Sequence, residues 1–188
     1  GIDYIGELPA FERDFAVHAA IADHLGYKLS IHSGSDKFSV FPTIGQYTHG
    51  HFHLKTAGTS WLEAMAVVAE HAPALYREIH DFILPDAFYE ATKYYHVTTN
   101  LNNIPPLDSV PDEALVTLLE TNNDERQLVH ITYGLILNEK APDGSYRFRD
   151  RLYKVWRQYD KEYMQRLERH IGRHLELLYS GFTAQKNL

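Results

Sequence analysis

Two short strand-like runs, with helical patterning before, between and after them, limit what this chain can fold into more than any other feature. Residues 27–31 (YKLSI) lead into the polar stretch HSGSDK, and residues 51–57 (HFHLKTA) end at Gly58. Upstream, Phe11, Phe15, Ala19 and Ala22 recur at helical spacing after Leu8-Pro9, and Gly26 supplies a stop. Between the runs, FSVFPTIGQYTHG is broken by Pro42, Gly45 and Gly50, which predicts a short helix or an irregular excursion. Strands alternating with helices imply parallel pairing and right-handed crossovers. Side chains two apart on a strand share a face, so parallel pairing brings His32, His53 and Lys55 to one edge.

The remainder reads as mostly helical with one further strand. Thr59, Ser60 and Glu63 form a capping-box pattern that opens a helix over about 61–71, Pro73 restarts a helix towards Leu84, and Pro85 begins a third to about Tyr95. Residues 96–99 (HVTT) have strand character, but NLNNIPP after them is dense in turn formers, so the region reads as a connection. Val110-Pro111 opens a short helix to about Glu120. LVHITYGLIL at 128–137 is nearly continuous in apolar, β-branched residues, the pattern of a strand buried on both faces. Two amphipathic helices, about 148–159 and 161–179, close the chain.

The resulting expectation is an α/β fold, residues 1–188 forming a single domain with about three parallel strands and a terminal helical pair. A chain of 188 residues with 44% hydrophobic composition can bury a core of that size. Three parallel strands alone leave edges open and faces uncovered, so the expected architecture is the C-terminal part of a (β/α)₈ TIM-type barrel, the remaining strands coming from a missing segment or a separate chain.

Composition excludes several chemistries. There is no cysteine, so disulfides and thiolate metal sites are ruled out and any transition-metal site must draw on His, Asp and Glu. A net charge of −7 argues against a nucleic-acid partner. No apolar run approaches the roughly 20 residues that span a bilayer, so a soluble, cytoplasmic protein without a membrane partner is expected. Neither a dinucleotide or Walker glycine motif, nor G-x-S-x-G, nor H-E-x-x-H occurs.

Four longer strings are more specific: IHSGSDKFSVFP, FHLKTAGTSWLEA, EATKYYHVTT and HITYGLILNE. They resemble the tagaturonate epimerase family of hexuronate breakdown, and the resemblance runs from about Asp3 to Leu178. Family members are considerably longer, so the chain corresponds to their C-terminal part. The resemblance implies interconversion of D-tagaturonate and D-fructuronate, which differ at a carbinol carbon β to the ketone. The hydrogen there is not acidified by the carbonyl, which points to retro-aldol cleavage and re-addition rather than enolisation. A divalent cation suits that route, with Zn, Mn, Ni or Co as candidates.

In an α/β barrel the active site lies at the C-terminal ends of the strands, where His32 follows Ile31. His32 reads as a metal ligand, or as a histidine capping a loop. His53 is the second candidate ligand, with His51 lower on the same strand face and His49 in the loop; HGHFH as a whole also fits an adventitious surface chelator. Asp36 offers a third metal ligand or a contact to substrate. The remaining ligand and the acid–base pair are expected in the absent N-terminal part, which leaves the catalytic residues of this chain unassigned. Ser33, with Gly34 and Ser35, offers hydroxyls and backbone N–H groups to an anionic substrate, or forms an ordinary turn. Lys37 and Lys55 supply the positive charge a hexuronate carboxylate needs, Lys55 also being readable as a solvated edge residue. His130 reads as a hydrogen-bonded core residue, His170 and His174 as a surface pair one helical turn apart, and His18, His24, His71 and His80 as helix-surface positions. Two rival readings are another metal-dependent barrel enzyme acting on sugars, an isomerase or aldolase, and a non-catalytic half-barrel that needs a partner chain or self-associates.

Overall fold

The computed structural model describes residues 2–32 and 36–184. In chain order its elements are α1 (Leu8–Leu25), β1 (Leu29–His32), α2 (Phe41–Thr48), β2 (Phe52–Lys55), α3 (Ala57–His71), α4 (Pro73–Phe82), α5 (Phe88–Thr92), α6 (Leu115–Thr121), α7 (Asn123–Ile131), α8 (Tyr133–Asn138), α9 (Arg149–Gln158) and α10 (Asp160–Ala184). The class is α/β and mostly helical. Its sheet, among the described residues, has two strands. None of the described helices is long and apolar enough to cross a membrane.

Two compact units divide the chain. Among the described residues, the first comprises 2–32, 36–59 and 168–184, the second 60–167. The first unit holds the sheet. In it β1 and β2 pair in parallel, with Leu29 opposite Phe52, Ser30 opposite His53, Ile31 opposite Leu54, and His32 opposite Lys55. Ser30, His32, His53 and Lys55 are exposed, whereas Ile31 is buried and Leu29, Phe52 and Leu54 are half-buried. That is the two-residue alternation of a sheet with one covered face. The covered face joins Val40, Phe41, Ile44 and Leu178 in a small core, against which Phe11 and Phe15 of α1 pack. Helix α1 ends as expected: Gly26 adopts φ 72° and its N–H reaches the Ala22 and Asp23 carbonyls, a left-handed cap that glycine takes without strain. Helices α2 and α10 approach closely. A Cβ placed on Gly45 would lie 1.7 Å from the Leu178 carbonyl oxygen, and one on Gly181 would lie 1.8 Å from that of Pro42.

The second unit is built of helices joined by irregular segments and has its own core, in which Leu62, Met65, Tyr76, Ile79, Ile83, Leu115, Leu119, Leu128, Ile136 and Phe148 are all but inaccessible. Trp61 and Trp156 are anchored through their indole N–H groups, to the Val129 carbonyl at 3.0 Å and the Ala64 carbonyl at 2.9 Å. The expected third strand is absent here: residues 128–137 fall in α7 and α8. Leu128, Val129, His130, Ile131, Thr132 and Ile136 are buried, so the unbroken apolar run belongs to helices covered on nearly all sides rather than to a strand. Asn122 starts α7 by accepting the N–H groups of Asp124 and Glu125, both at 3.0 Å. Thr132 separates the two helices at φ −89°, ψ 0°, its hydroxyl donating to the Leu128 carbonyl at 2.8 Å. The terminal helical pair is present as α9 and α10.

Two smaller expectations are also corrected. Helix α3 begins at Ala57, ahead of the capping-box pattern, and Thr59 turns its hydroxyl back to the Thr56 carbonyl at 3.2 Å instead of capping. His80 is buried: its Nε2 meets Glu125 at 3.0 Å, and Tyr76 donates to the other oxygen of that carboxylate at 2.6 Å. An isolated polar position on α4 is thereby part of a closed hydrogen-bonded network in the core.

Candidate functional site

The parallel register carries four polar side chains to the exposed face of the sheet. Because His32 lies opposite Lys55, the Lys55 ammonium comes within 3.3 Å of His32 Nε2. His53 lies one pleat back, opposite Ser30, and its Nδ1 is 2.9 Å from Ser30 Oγ. A second amine reaches the backbone of the same histidine: Lys37 Nζ donates to the His32 carbonyl at 3.2 Å. Burial holds the Lys37 amine below the ordinary lysine range, against the opposing charge of Asp36. Two cationic side chains beside one strand end suit an anionic ligand. His49 and His51 are exposed, His49 in a left-handed turn at φ 51° after α2. Ser33, Gly34 and Ser35 lie outside the described residues.

A second group lies beneath this surface, in the same unit. Asp36, 6% exposed, meets His170, 9% exposed, and His174, wholly buried. Its Oδ1 is 3.5 Å from His170 Nε2 and 3.8 Å from His174 Nε2. The surface expectation for His170 and His174 is therefore corrected. They sit on the buried line of α10 that continues through Leu178 to Gly181, at intervals of four, four and three residues, and that line was available from the sequence as an amphipathic stripe. Thr59 Oγ1 is 2.9 Å from His170 Nε2. The rings of Phe38 and Phe41 stand 4.8 Å and 5.2 Å from that of His174 and wall the group on one side.

Chemically the two groups differ. The sheet edge offers exposed imidazoles and ammonium groups to a small anion. Among the described residues, the cluster of three His or carboxylate ligand atoms close enough to hold one cation is Asp36, His170 and His174, all within 4.8 Å of one another; it does not include His32 or His53. His130 is buried in α7, in keeping with a core role.

A family model described as tagaturonate epimerase matches residues 1–178. The tagaturonate/fructuronate epimerase of Thermotoga maritima is 45% identical over 179 residues, which cover 95% of this chain and 36% of that protein. A glycerol-complexed crystal structure of the fructuronate-tagaturonate epimerase from Cohnella laeviribosi superposes with a TM-score of 0.90 at 59% identity, covering 95% of this chain and 36% of the other. The native crystal structure of the same enzyme gives a TM-score of 0.88 at 59% identity over 94% of this chain, again 36% of its own. The chain thus spans 36% of the length of these relatives, at their C-terminal end.

Proposed function

The chain belongs to the tagaturonate epimerase family, and we propose that it forms the C-terminal part of a metal-dependent, cytoplasmic enzyme that interconverts D-tagaturonate and D-fructuronate. The observation that carries this reading is the family match over residues 1–178, nearly the whole chain. In this proposal residues 1–188 form part of one (β/α)₈ barrel, β1 and β2 being two of its strands, and the other strands come from the N-terminal part that the longer relatives possess. The open edges of a two-stranded parallel sheet support that completion.

The chemistry follows from the substrate pair. The carbon that changes configuration lies β to the ketone, so removing its hydrogen gives no stabilised carbanion. Taking the proton from its hydroxyl instead lets the bond to the α carbon break, leaving an aldehyde and an enediolate. Rotation of the aldehyde followed by bond formation on its other face returns the epimer, and the proton goes back to the new alkoxide. Nothing is oxidised or reduced overall, in keeping with a chain that carries no dinucleotide motif.

His32 and His53 are assigned to a divalent cation, with further ligands from the N-terminal part, and the cation supplies Lewis acidity at the ketone end of the substrate. The donor set fits: His53 engages Ser30 through Nδ1, which leaves Nε2, and His32 directs Nε2 at a flexible lysine rather than a fixed partner. Lys55 is assigned to the substrate carboxylate. Turning its ammonium from His32 to that anion frees the imidazole in the same motion. Lys37 and Ser33 bind further substrate oxygens, and Asp36 is assigned to the histidines of α10, which it faces. The general acid and base lie outside this chain.

The test is conversion of D-tagaturonate, with and without Mn²⁺, by the 188-residue chain alone and mixed with a separately expressed N-terminal part of a relative. Turnover should require both the complement and the cation, and His32→Ala in the mixture should abolish it. Turnover by the chain alone, or an undiminished rate in His32→Ala, would remove these residues from the proposed roles.

A further inference from the structure

We propose that Asp36, His170 and His174 form a second divalent-cation site, structural in role, that ties Asp36 to helix α10. The tautomer of His174 is the starting point. Its Nδ1 lies 2.7 Å from the His170 carbonyl, which can only accept, so Nδ1 carries the ring proton. In the neutral ring that leaves Nε2 as a bare lone pair. This nitrogen is fully buried, makes no hydrogen bond, and faces Asp36 Oδ1 at 3.8 Å. A buried lone pair without a hydrogen-bond partner, turned towards a carboxylate away from water, calls for a positive charge beside it.

The spacing matches a cation. With metal–nitrogen bonds of about 2.0–2.1 Å, neighbouring ligand atoms of a tetrahedral site stand about 3.3–3.4 Å apart. The Asp36 oxygen is 3.5 Å and 3.8 Å from the two imidazole nitrogens, so these two edges need shorten by only a few tenths of an ångström, and all three ligand atoms lie within 4.8 Å of one another. Histidines four apart on a helix share a face and form a preset pair of ligands. The carbonyl on His174 Nδ1 fixes that ring as outer-shell partners of metal-bound histidines do. Thr59 donates its hydroxyl proton to the Thr56 carbonyl and therefore accepts from His170 Nε2. Cation binding asks His170 only to move its proton to Nδ1, an exchange between the two neutral tautomers. Two imidazoles and a carboxylate suit Zn²⁺ or a neighbouring first-row ion.

Zinc uptake is read without turnover and does not depend on the epimerase reading, so either can fail alone. The 188-residue chain, stripped with a chelator, is titrated with Zn²⁺ against a chromophoric competitor. One tight equivalent is expected, retained in the His32→Ala/His53→Ala double variant and weakened at least about 100-fold in Asp36→Asn and in His174→Gln. Asparagine has the volume of aspartate, so Asp36→Asn decides the matter if the His174 variant fails to fold by circular dichroism. In the zinc-loaded chain, imidazole ¹⁵N spectra should show His174 protonated at Nδ1 and ligated at Nε2. The proposal is overturned if no tight equivalent binds, if Asp36→Asn leaves the affinity unchanged, if the equivalent is lost with His32 and His53, or if His174 proves doubly protonated beside Asp36 with zinc present.

Discussion

Gly181 is a position where a single methyl group should do severe damage. A Cβ there would stand 1.8 Å from the Pro42 carbonyl oxygen and 3.0 Å from the Gln46 amide nitrogen. Both are backbone atoms, so no side chain can rotate out of the way. An ordinary carbon–oxygen contact is about 3.3 Å, which requires α10 and α2 to part by roughly 1.5 Å. The same line of contact includes Gly45, whose Cβ would meet the Leu178 carbonyl oxygen at 1.7 Å, so parting the helices also opens the packing of Phe41, Ile44 and Leu178. Overpacking of this kind costs about 1–3 kcal/mol and sometimes more; with backbone on both sides the upper end, about 3 kcal/mol, is expected for Gly181→Ala. In a chain of this length that lowers the melting midpoint by roughly 6–12 °C. Gly172, also within α10, meets nothing within 4 Å, and Gly172→Ala should instead stabilise by about 0.5–1 kcal/mol through helix propensity. Urea unfolding of the two variants measures the difference directly. If Gly181→Ala proves neutral or stabilising, the close packing of α2 on α10 is not as described.

Two further predictions concern the core of the second unit. The Tyr76 hydroxyl is pushed well above the ordinary tyrosine range, first by burial and then by the Glu125 charge and the hydrogen bond to it. A phenol whose folded value is raised contributes stability that is complete below the unfolded value of about 10 and is lost as pH rises past it; unfolding free energy should therefore fall above about pH 10, less steeply in Tyr76→Phe, and equal slopes would remove Tyr76 from the alkaline transition. His80→Ala deprives the wholly buried Glu125 carboxylate of its imidazole partner and should cost about 2–4 kcal/mol, against less than about 0.5 kcal/mol for exposed His24→Ala; a loss below 1 kcal/mol on chemical denaturation would mean that the Glu125 side chain does not depend on His80.

Much of the fold was legible because its signals are local. Helix α1 carries its own periodicity and a glycine stop, and both strands were visible from alternation and flanking polar residues. The run at 128–137 misled because a nearly continuous apolar stretch looks alike as strand or helix. Its discriminating signal lay just upstream, where Asn122 followed by Asp124 and Glu125 is a helix start. Thr59 and Glu63 formed a true capping pattern that tertiary contact overrode: the Thr59 hydroxyl serves the Thr56 carbonyl and His170 instead of a helix end.

The sequence alone determined the family, the ligand types open to a metal, and which residues of each strand share a face, because composition, motif strings and side-chain periodicity belong to the chain itself. Only the tertiary structure decided that His32 lies against Lys55 while His53 lies against Ser30, since parallel register is set by packing between segments. Only it decided, too, that the histidines of α10 lie opposite Asp36. The stripe to which they belong can be read from α10 itself, but which segment covers it is a property of the whole core.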